Sequence, residues 1–394
     1  MKKLKEKKKL SEVIANYQDG DSFLKTPIKT ILGKGYKEKM IIDEPCSFEK
    51  LDAIIQKALN KYHENGEKNP LVIGAIPFDT TKRPVLIVPQ ETLVLERENI
   101  SEDLLDLPYI LDVKKIKQVP SAKTYEEMVQ QSIHRIRETK LEKVVLARTL
   151  QISTSDRVDL PPLIESLAKT NTSGYTFAIN TGEKEINTLV GASPELLIRK
   201  KGNTIIANPL AGSRKRTHDK DEDARLAASL LNSEKDLHEH KVVVDMVCRE
   251  LNPFFKTIQA PDQPSILYTD SMIHLSTTIS GELKDPQTTS LTIASALHPT
   301  PAVCGEPREE AFQLIHEIEP FDRKFFAGIV GYMEANGDGE WIVTIRCAQV
   351  KENQMTIYAG AGIVESSVPQ EERAETGAKF QTMLHAIGIT GENN

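Results

Sequence analysis

The sequence predicts one large α/β (α+β) fold, a sandwich of mixed sheets flanked by helices. Short β-rich segments bounded by turn residues dominate the C-terminal two-thirds of the chain. Amphipathic helical segments lie between them, but not in the strict strand–helix–strand order of a parallel sheet. The chain has 394 residues, 39% hydrophobic and 27% charged, which is typical of a globular protein with a sizeable core.

The N-terminal third mixes short strands with helix, and a polar stretch at 114–122 predicts a seam after it. We therefore expect an N-terminal subdomain over 1–115 and a second subdomain over 116–394, packed as one globular unit. Periodicity and continuous apolar runs predict a helix at 47–61 and buried strands at 71–78 and 85–89.

The second subdomain is predicted to be denser in strands. Apolar residues recurring at helical spacing, among them Leu226, Leu230 and Leu251, predict one long helix at 220–251. Tight turns such as NGDGE predict an antiparallel meander near the C-terminus. The further elements expected are a helix at 124–139 and strands at 143–152, 174–181, 187–200, 203–208, 325–334, 341–350 and 355–362.

Composition excludes several classes of protein. The net charge of −7 argues against a dedicated nucleic-acid binder, and no run of 18 apolar residues predicts a membrane span. The basic start MKKLKEKKK lacks the apolar stretch of a signal peptide and is expected to be a solvated terminus. Four cysteines without CxxC spacing, Cys46 among them, predict a reducing, cytoplasmic location and no zinc site.

The most informative segment is GAGIVESSVPQEERAETGAK, at 360–379. On a helix, Glu372, Glu375 and Lys379 would lie at i, i+3 and i+7 on one face, above an apolar stripe. Gly360 and Gly362 would let a ligand approach the backbone closely. An acidic pair, a cation and a glycine turn suggest a metal and an anionic ligand. The alternative is a surface ion pair between Glu375 and Lys379, worth about 0.3–0.5 kcal/mol.

A second acidic pair strengthens the metal interpretation. Asp236 and Glu239 also have i,i+3 spacing on a predicted helix. Two such pairs could converge on one hard cation, and Mg²⁺ prefers carboxylate oxygens. The neighbouring His238 and His240 are two residues apart and cannot share a helix face, which disfavours zinc.

Three more residues could carry chemistry. Lys143 begins an otherwise apolar strand and could act as a base if it is desolvated, or it could be an edge lysine reaching water. Glu195 follows Ser193-Pro194, which interrupts the strand, and could be a general acid or an edge charge. Arg346, on a predicted strand, could bind a carboxylate or form a cross-strand ion pair.

The ordered motifs GASPELL, NPLAGSRKR, KDLHEH, HPTPAVCGEP, FAGIVGYME, IRCAQV and AGAGIV…ERAETGAK resemble those of the chorismate-utilising enzymes. The likeness covers about Lys143 to Lys379. It implies the large α/β fold of the anthranilate synthase component I type, with a Mg²⁺-dependent site between the sheets and a catalytic role for 116–394. Anthranilate synthases have glutamine where Lys143 stands, whereas lysine is typical of isochorismate and salicylate synthases.

The resemblance implies a role for each residue. Lys143 would activate water for attack at C2 of chorismate, and Glu195 would protonate the departing C4 hydroxyl. Glu239 and Glu375 would ligate Mg²⁺, with Asp236 and Glu372 acting through waters. The other implied contacts are with substrate: Arg346, Lys379 and the N–H groups around Gly360 and Gly362 at the enolpyruvyl carboxylate, and Ser213 and Ala302 along the pocket.

The resemblance therefore implies an isochorismate synthase, of the 2,3-dihydroxybenzoate siderophore branch by overall likeness. The alternatives are a salicylate synthase, which would also release pyruvate, a menaquinone-branch isochorismate synthase, and an amine-transferring subunit that needs a glutaminase. A non-catalytic binding module is the remaining alternative. The expected partner is chorismate alone, with no glutaminase, nucleic acid or membrane, and the chain is expected to be a monomer.

Overall fold

Two large antiparallel sheets form the centre of the molecule. The computed structural model describes residues 7–40, 42, 47–104 and 109–389, so Cys46 and most of the basic N-terminal stretch lie outside the described residues. Within the described part, a ten-stranded and a nine-stranded sheet are accompanied by a three-stranded and a two-stranded sheet. The predicted α/β sandwich of sheets flanked by helices is confirmed, and the paired strands of both large sheets are antiparallel.

The helices of the described residues are α1 (Leu10–Ala15), α2 (Phe48–Glu64), α3 (Ala122–Glu138), α4 (Leu160–Thr170), α5 (Lys220–Leu231), α6 (Glu234–Leu251), α7 (Ser290–Leu297), α8 (Arg308–Ile318) and α9 (Pro369–Ala386). The first strands are β1 (Lys8–Lys9), β2 (Ser22–Lys25), β3 (Lys29–Lys34), β4 (Glu38–Met40), β5 (Leu71–Ile76), β6 (Val85–Val88), β7 (Glu91–Glu96), β8 (Ile100–Ser101), β9 (Val113–Val119), β10 (Lys143–Thr154), β11 (Tyr175–Asn180) and β12 (Thr188–Ser193). The remaining strands are β13 (Leu196–Lys201), β14 (Thr204–Asn208), β15 (Leu210–Lys215), β16 (Phe255–Gln259), β17 (Ser265–Tyr268), β18 (Met272–Ser276), β19 (Ile279–Leu283), β20 (Gly305–Glu306), β21 (Ile329–Glu334), β22 (Gly339–Val343), β23 (Cys347–Lys351) and β24 (Gln354–Ile363).

The layers follow from the alternation of side chains along the strands. The ten-stranded sheet has the order β20-β10-β24-β23-β12-β11-β2-β3-β7, with β9 also paired to β10, and the nine-stranded sheet has the order β16-β19-β14-β13-β22-β21-β5-β6-β4. On β2, Leu24 joins the larger apolar core, shared with the nine-stranded sheet, whereas Phe23 faces α1, α4 and α9. Helices α2 and α7 pack on the nine-stranded sheet, which gives a helix–sheet–sheet–helix sandwich.

Strands from the N-terminal third enter both sheets. Strand β2 pairs with β11 in the ten-stranded sheet, and β5 pairs with β21 in the nine-stranded sheet. The polar stretch at 114–122 was predicted to be a seam. It contains most of β9, which pairs with the second half of β10. An edge strand can expose charged side chains on its free face. The lysines of β9 therefore gave this segment the polar composition that predicted a seam.

The long helix predicted at 220–251 is wrong in one respect, because it is two helices. Helix α5 ends at Leu231, and Ser233 begins α6 by accepting a hydrogen bond from the Asp236 N–H at 3.3 Å. A serine cap of this kind satisfies an otherwise unpaired amide at a helix start. The break leaves Asp236 and Glu239 on the first turns of α6.

Two predicted strands are also interrupted, and both breaks shape the site. The segment 187–200 forms β12 in the ten-stranded sheet and then β13 in the nine-stranded sheet. The segment 341–350 forms β22 and then β23, which belong to the two sheets in the opposite order. We call 193–195 and 344–346 the two crossings, because at each the chain passes from one sheet to the other.

Candidate active site

The two crossings lie side by side and hold Glu195 and Arg346 between the sheets. The Ala192 N–H donates to the Arg346 carbonyl at 3.0 Å, and the Val343 N–H donates to the Glu195 carbonyl at 3.2 Å. The Ser193 hydroxyl donates to the Val343 carbonyl at 2.7 Å. Arg346 has a φ of +51°, so it lies in a left-handed turn and not on the rigid strand that was predicted.

Glu195 is a buried carboxylic acid without an ion-pair partner at hydrogen-bonding distance among the described residues. Only 3% of the residue is exposed, and burial raises the pKa of Glu195 to about 7, although the Leu210 N–H and the charges of Arg346, Lys143 and Lys379 oppose that rise. A carboxyl group with such a pKa can hold its proton near neutrality and release it to a leaving group. The geometry fits a general acid.

Arg346 is held from behind by a histidine. Its Nη2 lies 3.1 Å from Nε2 of His274 on β18, and burial lowers the pKa of His274 well below its usual value. Because arginine can only donate, Nε2 is the acceptor, and Nδ1 carries the proton toward the Gly212 carbonyl. This contact orients the Arg346 guanidinium, whose pKa burial lowers to about 10.

Lys143 lies at the start of β10 and is buried, with 2% of its side chain exposed. Its Nζ forms an ion pair with Oε1 of Glu239, from α6, at 2.8 Å. Gly362 leaves room for this pair, since a Cβ there would lie 2.5 Å from Glu239 Oε1 and 2.9 Å from Lys143 Cε. A larger residue at 362 would therefore displace the ends of the Lys143 and Glu239 side chains from this pair.

Helix α9 carries the predicted acidic pair and Lys379 on one face. The Lys379 ammonium lies 2.6 Å from Glu375 and donates to the Gly360 carbonyl at 2.8 Å. Burial would raise the pKa of Glu375, but Lys379 outweighs it and holds that pKa below its usual value. For Glu372, burial and then the charge of Glu375 raise the pKa to about 7.

The acidic residues of α6 and α9 line one cavity of about 380 Å³, which we call the acidic cavity. Six of the residues predicted from the sequence line it: Ser213, Asp236, Glu239, Gly362, Glu372 and Glu375. Ser213 donates to Glu375 at 3.3 Å from β15. Three basic residues that the sequence analysis did not assign to the site, Arg214, Lys215 and Lys235, also line the cavity. Arg214 binds Asp236 through two hydrogen bonds, and Lys235 lies 3.2 Å from Glu372.

The donor set fits a hard divalent cation. Five carboxylates of the described residues line the acidic cavity, and four of them are the predicted metal-site residues Asp236, Glu239, Glu372 and Glu375. The mutual repulsion of Glu372 and Glu375 is the kind of strain that a bound cation relieves. As the described side chains stand, no three His, Cys, Asp or Glu residues are grouped closely enough to ligate one ion. Each of the four carboxylates is instead paired with a basic side chain.

The backbone of Gly360 and Gly362 faces the same region. Val145 and Ala147 on β10 direct their N–H groups away from β24, to Cys304 and Glu319 respectively. Their register partners on β24 are Gly362 and Gly360. Opposite residues that do not bond to each other direct their N–H and C=O groups away from the shared edge of the two strands. The amides of Gly360 and Gly362 therefore point away from β10, to the edge of β24 where Lys379 lies.

Ala302 lies in the loop between α7 and β20, and its lining role stays a prediction. The loop docks beside Lys143, because the Cys304 carbonyl accepts a hydrogen bond from Val145 N–H at 2.7 Å. His274 was missed altogether. It stands in an apolar strand without motif spacing, and only the tertiary contact with Arg346 reveals it.

Two larger cavities lie elsewhere among the described residues. One of about 510 Å³ is lined by Lys29, Lys200 and Tyr332, but its buried lysines are already paired with Glu334 and Asp338. The other, of about 440 Å³, lies beside Tyr175 and Arg199. Neither contains a predicted site residue. We place the site at the acidic cavity because the titratable groups converge there, not because of its size.

The chain belongs to the chorismate binding enzyme family, whose model matches residues 90–388. It is 44% identical over 391 residues to the isochorismate synthase DhbC of Bacillus subtilis (strain 168), covering 97% of both chains. It is 47% identical over 323 residues to the vibriobactin-specific isochorismate synthase of Vibrio cholerae serotype O1, covering 82% of this chain and 80% of that one. A crystal structure of DhbC from Bacillus anthracis superposes with a TM-score of 0.91 at 46% identity, covering 97% of this chain and all (100%) of the other.

Proposed function

We propose that this protein is an isochorismate synthase, an isomerase that converts chorismate to isochorismate with the help of Mg²⁺. The observation that carries the proposal is the pair of unlike groups at one site. A buried lysine, Lys143, begins β10, and its charge is among those that act on Glu195, a buried carboxylic acid at a crossing whose pKa burial raises to about 7. The two relatives, both isochorismate synthases and one of them matched over 97% of both chains, support this activity.

The reaction exchanges one hydroxyl for another. Lys143, once neutral, takes a proton from water as its oxygen bonds to C2. Both ring double bonds shift by one position toward C4, and the C4–O bond breaks as Glu195 gives its proton to the departing hydroxyl. One water is consumed and one is released, so the product is an isomer of chorismate. Lys143 ends protonated, and Glu195 ends as a carboxylate.

The residues around the acidic cavity fit a divalent cation, and we assign Glu239 and Glu375 as its direct ligands, with Asp236 and Glu372 acting through waters. Arg214 and Lys235 hold the latter two in place, which is consistent with an outer role. When bound, Mg²⁺ would supply positive charge for the ring carboxylate and replace Lys143 as the partner of Glu239.

The second carboxylate of chorismate needs its own positive charge. We assign the enolpyruvyl carboxylate to Arg346, Lys379 and the amides of Gly360 and Gly362. His274 and the crossing fix the guanidinium, so little reorganisation is needed when substrate binds. Ser213 and Ala302 would line the rest of the pocket.

We place the reaction in the 2,3-dihydroxybenzoate siderophore branch, which the vibriobactin-specific relative supports. No helix of the described residues is long and apolar enough to span a membrane. We propose that the chain acts in the cytoplasm as a monomer, with chorismate as its small-molecule partner and without a glutaminase subunit.

One incubation tests the function. The purified chain, chorismate and Mg²⁺ should give isochorismate by chromatography, without ammonia or a second protein. Pyruvate formed at the rate of chorismate loss would instead indicate a salicylate synthase. Lys143→Ala is the matched variant, and unchanged turnover in it would contradict the proposed base.

A further inference from the structure

Strand β10, which presents Lys143, has a gap along one edge. On that edge β20 pairs with residues 143–144 and β9 with residues 149–154, whereas β24 pairs along the whole other edge. Between β20 and β9, no described strand covers Val145 to Arg148. Unpaired backbone groups in a buried strand are expensive, so something must satisfy them.

A buried ion pair fills this gap in place of a strand. The Ala147 N–H donates to Glu319 at 2.7 Å, and the Arg323 guanidinium donates to the Val145 carbonyl at 2.6 Å. Glu319 thus supplies an acceptor to Ala147 and Arg323 supplies a donor to Val145, two residues earlier, as a neighbouring strand would. Glu319 and Arg323 bind each other through two contacts, at 2.8 and 2.5 Å, and their side chains are only 2% and 3% exposed.

The same guanidinium also holds the loop opposite Lys143. Its Nη1 donates to the Val303 carbonyl at 2.9 Å, next to Ala302. The Phe78 ring lies 4.5 Å from the guanidinium carbon, which restricts the side chain further. One group therefore joins the strand two residues beyond Lys143 to the loop predicted to line the pocket. Lysine could not replace it, because a single ammonium cannot reach two carbonyls and a carboxylate in a planar fork.

We propose that Arg323, with Glu319, is a positioning residue for Lys143: it fixes the start of β10 against the 298–304 loop so that the base is aimed at C2 of the substrate. This inference rests on the proposed function. Neither residue touches the acidic cavity, so their loss should alter the chemical step more than substrate binding.

The test is steady-state kinetics of Arg323→Lys, with Arg199→Lys as the matched control. Arg199 forms a similar buried pair with Glu340, but in the nine-stranded sheet and away from the site. Arg323→Lys should lower kcat about 10- to 100-fold, as a small misplacement of a reacting group does. Its KM for chorismate should stay within about threefold, and Arg199→Lys should keep kcat within about twofold.

A second variant guards against misfolding of the first. Glu319→Gln keeps an oxygen acceptor for the Ala147 N–H, but it removes the charge and replaces one of the two acceptors of Arg323 with a donor. It should show a smaller fall in kcat than Arg323→Lys at constant KM, and its Tm is measured alongside to verify that it folds. Both variants should keep the alkaline limb of kcat/KM that belongs to Glu195. Parental kcat in both variants, or an equal fall in Arg199→Lys at a matched Tm, would overturn the inference. A parent chain that forms no isochorismate would instead overturn the proposed function itself.

Discussion

The carboxylates of this site occupy two different environments. At the crossings, Glu195 is buried and has no ion-pair partner within the described part of the chain, and burial raises its pKa to about 7. In the acidic cavity, Glu375 has Lys379 at 2.6 Å, which holds its pKa below the usual value. The roles proposed for the two glutamates, giving a proton at the crossings and holding a cation in the acidic cavity, follow from this difference in surroundings, since the carboxyl groups themselves are identical.

Substitution of Glu195 is expected to have the largest effect on turnover. Glu195→Gln keeps the shape but cannot donate a carboxylic proton, so kcat should fall about 10²- to 10⁴-fold. Binding of chorismate with Mg²⁺, measured by calorimetry, should persist. Glu340→Gln, another buried carboxylate, is the control and should retain most activity. Turnover near the parental rate in Glu195→Gln would remove Glu195 from the chemistry.

Substitution of Glu375, the carboxylate paired with Lys379, is expected to weaken metal binding. Glu375→Gln should weaken Mg²⁺ affinity about 10- to 100-fold by calorimetric titration without substrate, the range typical of losing a group that supports a metal site. Glu309→Gln, on an exposed face of α8 and not among the residues that line the acidic cavity, should leave the titration unchanged. Equal Mg²⁺ affinity in parent and Glu375→Gln would contradict its assignment as a ligand.

The pH profile distinguishes the two environments directly. Glu195 must be protonated to act, so kcat/KM should fall as pH rises through about 7. Arg346 lowers the pKa of Glu195, so Arg346→Gln should move this limb to higher pH, by about one unit or less. Arg216→Gln, which loses a charge away from the crossings, should leave the limb in place. A profile flat to pH 9 in the parent would exclude this acid.

The smallest effect is expected at Ser213. Ser213→Ala removes one hydrogen bond of 3.3 Å to Glu375, which is worth about 0.5–1.5 kcal/mol. The KM for chorismate should rise a few-fold with little change in Tm. Ser229→Ala, on an exposed face of α5, is the control. A loss of activity as large as that of Glu195→Gln would mean that Ser213 has a chemical role.

Much of the fold could be predicted from the sequence because helices such as α2 and α3 have strong amphipathic patterns. The points at which predicted strands and one predicted helix are interrupted could not be predicted. An alternating or apolar pattern continues unchanged through 187–200 and 341–350, so it cannot show that the chain changes sheets. The break at Asn232-Ser233 was similarly hidden, since apolar residues recur on both sides at helical spacing.

The site residues divide in the same way. Lys143, Glu195, Glu239 and Glu375 could be proposed from the sequence because they lie in the region that resembles a family, and their roles stay predictions. Their mutual contacts were not predictable, because Lys143 meets Glu239 from nearly a hundred positions away. Arg214, Lys235 and His274 were missed because neither a helix face nor a strand pattern distinguishes a charge that pairs across elements from one that meets water.

The crossings also have a consequence for how the protein folds. Each threads the chain from one sheet into the other, and strands from residues 1–115 lie in both. Neither sheet can therefore assemble without drawing in the other, and the contacts that close them are far apart in sequence, which slows folding. We propose that 1–115 and 116–394 melt together in a single calorimetric transition. Glu195 and Arg346 would then come into register among the last steps, so partly folded chains would carry no acid at the site.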